Sequence, residues 1–274
     1  MKSKALLIGL TLLAFTSCGH YNKALKSADT DFKYEYAKQL AAVGRYNDAA
    51  FMLTDVIPAM KGTEKGDEPL FLYGMWKYLG HDYVTSEDYL KKYCQTYPTG
   101  HHVDEARFYA ARSLYMSVPT TQLDQTDTYD AITQLQSFLE IAPESRFAPK
   151  AREMIFELQD QLIEKEYQAA RLYYNLGTYF GNCTMGGNNY EACIITSENA
   201  LKDYPYASRK EDFAILILKA KYELALSSVK SKQKERYTDA IDEYYGFVNQ
   251  YPNSSFISKA KEIYEKSQKA VKAL

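Results

Sequence analysis

The chain has 274 residues, 46% hydrophobic and 25% charged, which is the balance of an ordinary globular protein and excludes extensive disorder. A formal net charge of −2 excludes the basic footprint of a nucleic-acid binder, and no nucleic-acid partner is expected. Tyrosine is the outlier, with 26 copies against one tryptophan, and such amphipathic rings suit half-buried helix faces and protein interfaces.

Residues 1–17 read as a signal peptide. Lys2 and Lys4 give a positive start, Ala5 to Phe15 is an apolar run, and Thr16 and Ser17 are small. That run is too short to cross a bilayer, which takes roughly 20 residues as a helix. Cys18 follows directly, and Phe15-Thr16-Ser17-Cys18 is similar to the lipobox of bacterial lipoproteins, with Phe15 in the place of the usual Leu. Cleavage before Cys18 and its acylation would anchor the chain, because two or more acyl chains hold where one does not. Removing Lys2 and Lys4 takes the 33 basic residues to 31 against 35 acidic ones, a net charge of −4. Gly19 and the lack of an acidic run after Cys18 place the expected protein at the outer membrane, facing the periplasm. Residues 18–30 form the expected lipidated tether. The remaining cysteines, Cys94, Cys183 and Cys193, are odd in number, which argues against a full disulfide framework; free thiols are expected, with a Cys183–Cys193 pair across a loop as the open alternative.

From residue 31 a repeat runs through the chain. A proline anchor recurs as Ile57-Pro58, Tyr97-Pro98, Ala142-Pro143, Tyr204-Pro205 and Tyr251-Pro252. Fifteen residues before the last four prolines stand Tyr83, Thr128, Tyr190 and Tyr237; three residues further on are the small Ser86, Ala131, Cys193 and Ala240. The first copy is shorter, with Tyr46 and Ala49. Each unit reads as two helices, the second ended by its proline. Ala240, Ile241, Tyr244, Phe247, Val248 and Tyr251 share one helical face, and Phe213, Ile217, Ala220 and Leu224 give the same stripe in a partner helix. No two-residue alternation is sustained, so no strand is expected.

The anchors are spaced by 40, 45, 62 and 47 residues. Loops at Met60–Glu68 and Val118–Asp124 take up part of the excess. In the longest gap, Lys150–Leu176 holds neither Gly nor Pro, and Leu158, Leu162, Tyr167, Ala170 and Tyr174 carry a helical stripe through it. It predicts one long helix, with two helices kinked near Glu164 as the open alternative. A Gly/Asn-rich loop follows at Gly181–Asn189. Side-chain oxygens of Asn253-Ser254-Ser255 can cap the last helix, and polar, Lys-rich Glu262–Leu274 suits a capping element. The expected fold is all-α: a tetratricopeptide-repeat solenoid of about five helix pairs plus a C-terminal capping helix. A three-repeat half would occupy 31–148; 149–274 would hold the long shared helix and a two-repeat half.

Catalytic signatures are not found. The four histidines, His20, His81, His101 and His102, fit no zinc spacing, and no phosphate loop or nucleophile elbow occurs. His101 and His102 read as solvated residues at a helix start, and the Asp127/Asp130 pair as helix caps. The chain is therefore expected to be no enzyme and to need no metal or cofactor.

Three stretches carry a resemblance. They are Leu123-Asp124-Gln125-Thr126-Asp127-Thr128 leading to Ala131-Ile132, Phe138-Leu139 and Pro143-Glu144-Ser145; Glu164-Lys165 through Leu172-Tyr173-Tyr174 to Gly177-Thr178-Tyr179; and Glu198-Asn199-Ala200-Leu201-Lys202-Asp203-Tyr204-Pro205. With the lipobox, they resemble the BamD family, lipoproteins of the β-barrel assembly machinery, over roughly Phe32 to Glu265. The Gly181–Asn189 loop is longer than the family pattern. The resemblance implies two partners, the periplasmic domains of BamA and nascent outer-membrane β-barrel proteins, with the latter held in the N-terminal half. Tyr36, Tyr73 and Tyr109, on expected inner helices, are the candidates for holding an extended client segment. The competing expectations are a tetratricopeptide lipoprotein coordinating envelope or peptidoglycan assembly, and a SusD-like nutrient-binding lipoprotein. The single Trp76, in a helical stripe, speaks against the second.

Overall fold

A computed structural model of the chain describes residues 20–179, 188–205 and 208–274. The expected signal peptide, Cys18, Cys183 and most of the Gly181–Asn189 loop lie outside the described residues.

Beyond a short helical stretch at residues 20–25, eleven helices make up the fold among the described residues. They are α1 (Thr30–Ala42), α2 (Tyr46–Met60), α3 (Asp67–Leu79), α4 (Tyr83–Thr96), α5 (Val103–Ser117), α6 (Thr126–Ile141), α7 (Ala148–Leu176), α8 (Asn189–Asp203), α9 (Lys210–Leu226), α10 (Lys230–Gln250) and α11 (Ile257–Ala273). No strand occurs among the described residues. Odd and even helices alternate as the first and second members of five pairs, and α11 closes the chain. This is the all-α, tetratricopeptide-like repeat architecture that the periodicity predicts. Helices adjacent in sequence pack together from α1 to α6 and again from α8 to α11, and α3 and α5, like α9 and α11, also touch.

The small repeat positions explain the pairing. Ala49, Ser86, Ala131, Cys193 and Ala240 are all fully buried. With no open space around them, a longer side chain at any of these points would have to displace its neighbours. Gly74 marks a similarly close approach, since a Cβ there would lie 2.6 Å from Leu90 Cγ.

The prolines act through the residue before them. Tyr97, Ala142, Tyr204 and Tyr251 are the C-caps of α4, α6, α8 and α10, with φ of −128, −133, −125 and −129° and ψ of 66, 62, 69 and 62°. A following proline disfavours the α conformation in the residue before it, which favours ending the helix there. The first copy differs. Pro58 lies inside α2, which runs on to Met60. Its missing N–H affects only the carbonyl of solvent-exposed Thr54, which water can serve. Met60, 7% exposed and packed in the cluster around Trp76, draws the helix onward.

Local signals depart from expectation at two more places. The N-cap of α6 is Gln125, and Asp127 lies in the first turn, where it complements the helix dipole without capping. Gln125 Oε1 instead accepts from the buried Thr128 hydroxyl at 2.8 Å. His102 is not a freely solvated residue, because its ring stacks on Phe71 with centroids 4.1 Å apart. Within the expected tether, residues 20–25 are helical and Ala24 is fully buried.

The residues cluster into two compact units. One is Met1–Pro119 with Gln125–Ile155; the other is Thr120–Asp124 with Phe156–Leu274. The first has two apolar cores, one around Leu53, Val56 and Trp76 and one around Leu90, Tyr93 and Phe71. The second has cores around Phe213 and Ile163 and around Leu218 and Phe247. Helix α7 is helical throughout its 29 residues, Glu164 included, about 43 Å at 1.5 Å per residue.

Candidate functional site

The three candidate tyrosines hold equivalent places. Each is the seventh residue of a first-member helix: Tyr36 of α1, Tyr73 of α3 and Tyr109 of α5. Their surroundings differ. Tyr36 is half-buried and stacks on Phe32, itself 43% exposed, with centroids 6.1 Å apart. Tyr109 is half-buried among Tyr78, Phe108 and Phe147, with centroids 5.0, 5.4 and 6.1 Å away. The Arg112 guanidinium lies 5.5 Å from the Tyr78 ring and 5.6 Å from the Tyr109 ring.

Tyr73 is withdrawn, at 7% exposure. Its ring packs on Tyr89 at 4.1 Å, and burial pushes its phenol up to about 12. Helix α3 packs with α2 and α4 on either side, and the Tyr89 ring of α4 covers Tyr73. Tyr73 therefore forms the floor of a cleft of about 320 Å³ between α2 and α4, walled by Ile57, Lys61, Tyr89 and Lys92. A similar cleft of about 270 Å³ lies between α4 and α6, with Arg107, Ala110 and Phe138 in its lining. The sequence pattern marks the tyrosines as equivalent, but burial, which depends on neighbouring helices, separates them.

The chemistry of the first unit is aromatic and cationic. Lys38 stands over Tyr34 at 4.5 Å and Lys92 over Tyr89 at 5.4 Å. Such surfaces hold apolar or aromatic side chains and carboxylates by packing and cation–π attraction. They do not supply an activated nucleophile. Burial pushes the Cys94 thiol up, and pushes Cys193 up to about 11, so both are protonated at neutral pH. Among the described residues, no group of three or more His, Cys, Asp or Glu side chains is placed to hold a metal ion. Likewise, no described helix is long and apolar enough to cross a membrane.

Comparison with curated proteins returned no match. A model of one family does match, YfiO, described as an outer membrane lipoprotein, over residues 71–235. The match covers more than half of the chain and runs from α3 into α10. The chain belongs to the YfiO family of outer membrane lipoproteins.

Proposed function

We propose that this lipoprotein is the BamD-type component of a β-barrel assembly machine. It is acylated at Cys18, faces the periplasm, and works as a scaffold without catalysis. It binds the periplasmic domains of BamA and nascent outer-membrane β-barrel proteins. The observation that carries the reading is the family match over residues 71–235, which contains all three stretches that resemble BamD.

Physical support comes from the first unit. A client in transit is an extended chain whose alternate side chains are apolar, and a row of aromatic positions one helix pair apart can accept them. Tyr36 and Tyr109 would touch the client directly. Tyr73 would act through Tyr89, which it holds at the mouth of the α2–α4 cleft.

The test is capture of the tagged, full-length protein from outer membranes in mild detergent, followed by identification of what is bound. Stoichiometric recovery of a large barrel protein with periplasmic repeat domains is expected. Recovery of peptidoglycan enzymes or a nutrient transporter in its place would overturn the reading. A Tyr36→Ala variant is expected to recover that barrel protein normally and to lose unfolded clients.

A further inference from the structure

We propose that one edge of the first unit, formed by the turns within its first two helix pairs, docks on the lipid bilayer and orients the protein there. The inference rests on acylation of Cys18.

Large apolar side chains are exposed along this edge, where turns ordinarily present polar ones. Val43, in the α1–α2 turn, is 71% exposed, while Leu79 and Val84, on either side of the α3–α4 turn, are 41% and 68% exposed. The two turns are neighbours: a Cβ on Gly80 would lie 2.7 Å from Asn47 Oδ1, at the start of α2. The ions beside them are neutralised in pairs, Arg45 with Asp48 at 2.7 Å and Lys77 with Asp82 at 2.9 Å. The approach to a membrane is therefore apolar in character, with little demand for anionic lipid.

The course of the chain says what covers this edge. Tyr21 packs against the first core, and Arg45 of the α1–α2 turn stands over its ring at 5.3 Å. Cys18 is only three residues earlier, a chain length of at most about 10 Å. The anchor is thus tied to the edge that carries Val43. The α4–α5 turn lies at the far end of 14-residue α4, about 20 Å away along the helix. Acyl chains supply the affinity for the bilayer. The exposed valines and Leu79 then decide which side of the unit meets it.

The test places a new tryptophan at each edge of the full-length, acylated protein and reads quenching by brominated phosphatidylcholine vesicles. Trp76, 6% exposed, gives a constant background. Val84→Trp is expected to lose emission in brominated relative to ordinary vesicles, and Val43→Trp to do the same should the first variant misfold. Thr99→Trp, in the α4–α5 turn, is expected to keep its emission. Adding phosphatidylglycerol should change none of these values. An acylated protein in which both edges are quenched alike, or in which neither is, would overturn the docking edge and leave the anchor standing. A mass spectrum of the mature chain without acyl groups on Cys18 would remove the anchor, and this inference with it.

Discussion

Backbone conformation at single residues decides stability in ways that residue type alone does not reveal. Gly44 sits at φ 78°, with open space around an added Cβ; Gly246 sits inside α10, also in open space. The same substitution therefore has opposite signs. Gly44→Ala should destabilise by about 1 kcal/mol, because an L side chain is strained at positive φ. Gly246→Ala should stabilise by about 0.5–1 kcal/mol, because Gly costs a helix interior its entropy. Urea unfolding of both variants checks the pair, and equal signs would show that the φ assignment is wrong. His81 takes the same left-handed conformation, φ 64°, in the next pair's turn.

Asp82 gives a pH dependence at the same scale. It caps α4 by accepting from Thr85 N at 3.3 Å, and it pairs with Lys77. The hydrogen bond from Lys77 holds its carboxyl below the ordinary value of 3.8. A depressed folded pKa means that the stabilisation is present above 3.8 and is lost as the pH falls through the depressed value. Asp82→Asn keeps a capping side chain but removes the charge. The urea midpoint of the wild type should exceed that of Asp82→Asn at pH 7, and the gap should close below 3.8. A gap that stays constant with pH would show that the ion pair contributes nothing.

At the scale of elements, one device recurs after the prolines. Ser145 follows Pro143, accepts from Phe147 N at 3.1 Å and donates to Asp104 Oδ2 at 2.7 Å. Ser254 follows Pro252, accepts from Phe256 N at 2.9 Å and donates to Glu211. In each case a serine three residues ahead of a helix ties its entry to an acid in the first turn of an earlier helix. A hydrogen bond to a charged acceptor is worth more than a neutral one. A double-mutant cycle of Ser145→Ala and Asp104→Ala should therefore give a coupling of about 1 kcal/mol, and strict additivity would assign the serine to local capping alone. Ser254 was legible in the sequence as a cap; its acid, 43 residues earlier, was not. Sequence spacing shows what shares a helix face but gives no reading across a stack of helices.

At the scale of the molecule, the proposed acylation of Cys18 would carry membrane attachment. No described helix can span a bilayer, and the chain belongs to an outer membrane lipoprotein family. Cys18→Ser should accordingly move the protein from the membrane fraction to the soluble one, with unchanged helical content. Fractionation and circular dichroism check this, and membrane retention without Cys18 would point to another means of attachment.

The sequence by itself determined the repeat. Pre-proline sterics, fully buried small residues and the 3.6-residue stripe are local rules, and five helix pairs with a closing helix follow from them. The candidate site was legible only as positions. Tyr36, Tyr73 and Tyr109 occur at the same place in α1, α3 and α5, yet Tyr73 is buried beneath Tyr89 and the other two are half-open. The tertiary structure decided that, because burial depends on which helices pack on either side. It likewise decided that Pro58 is carried inside α2, that His102 stacks on Phe71, and that Val43, Leu79 and Val84 share one edge. Each of these follows from contacts between residues of different helices, where the pattern along a single helix carries no information.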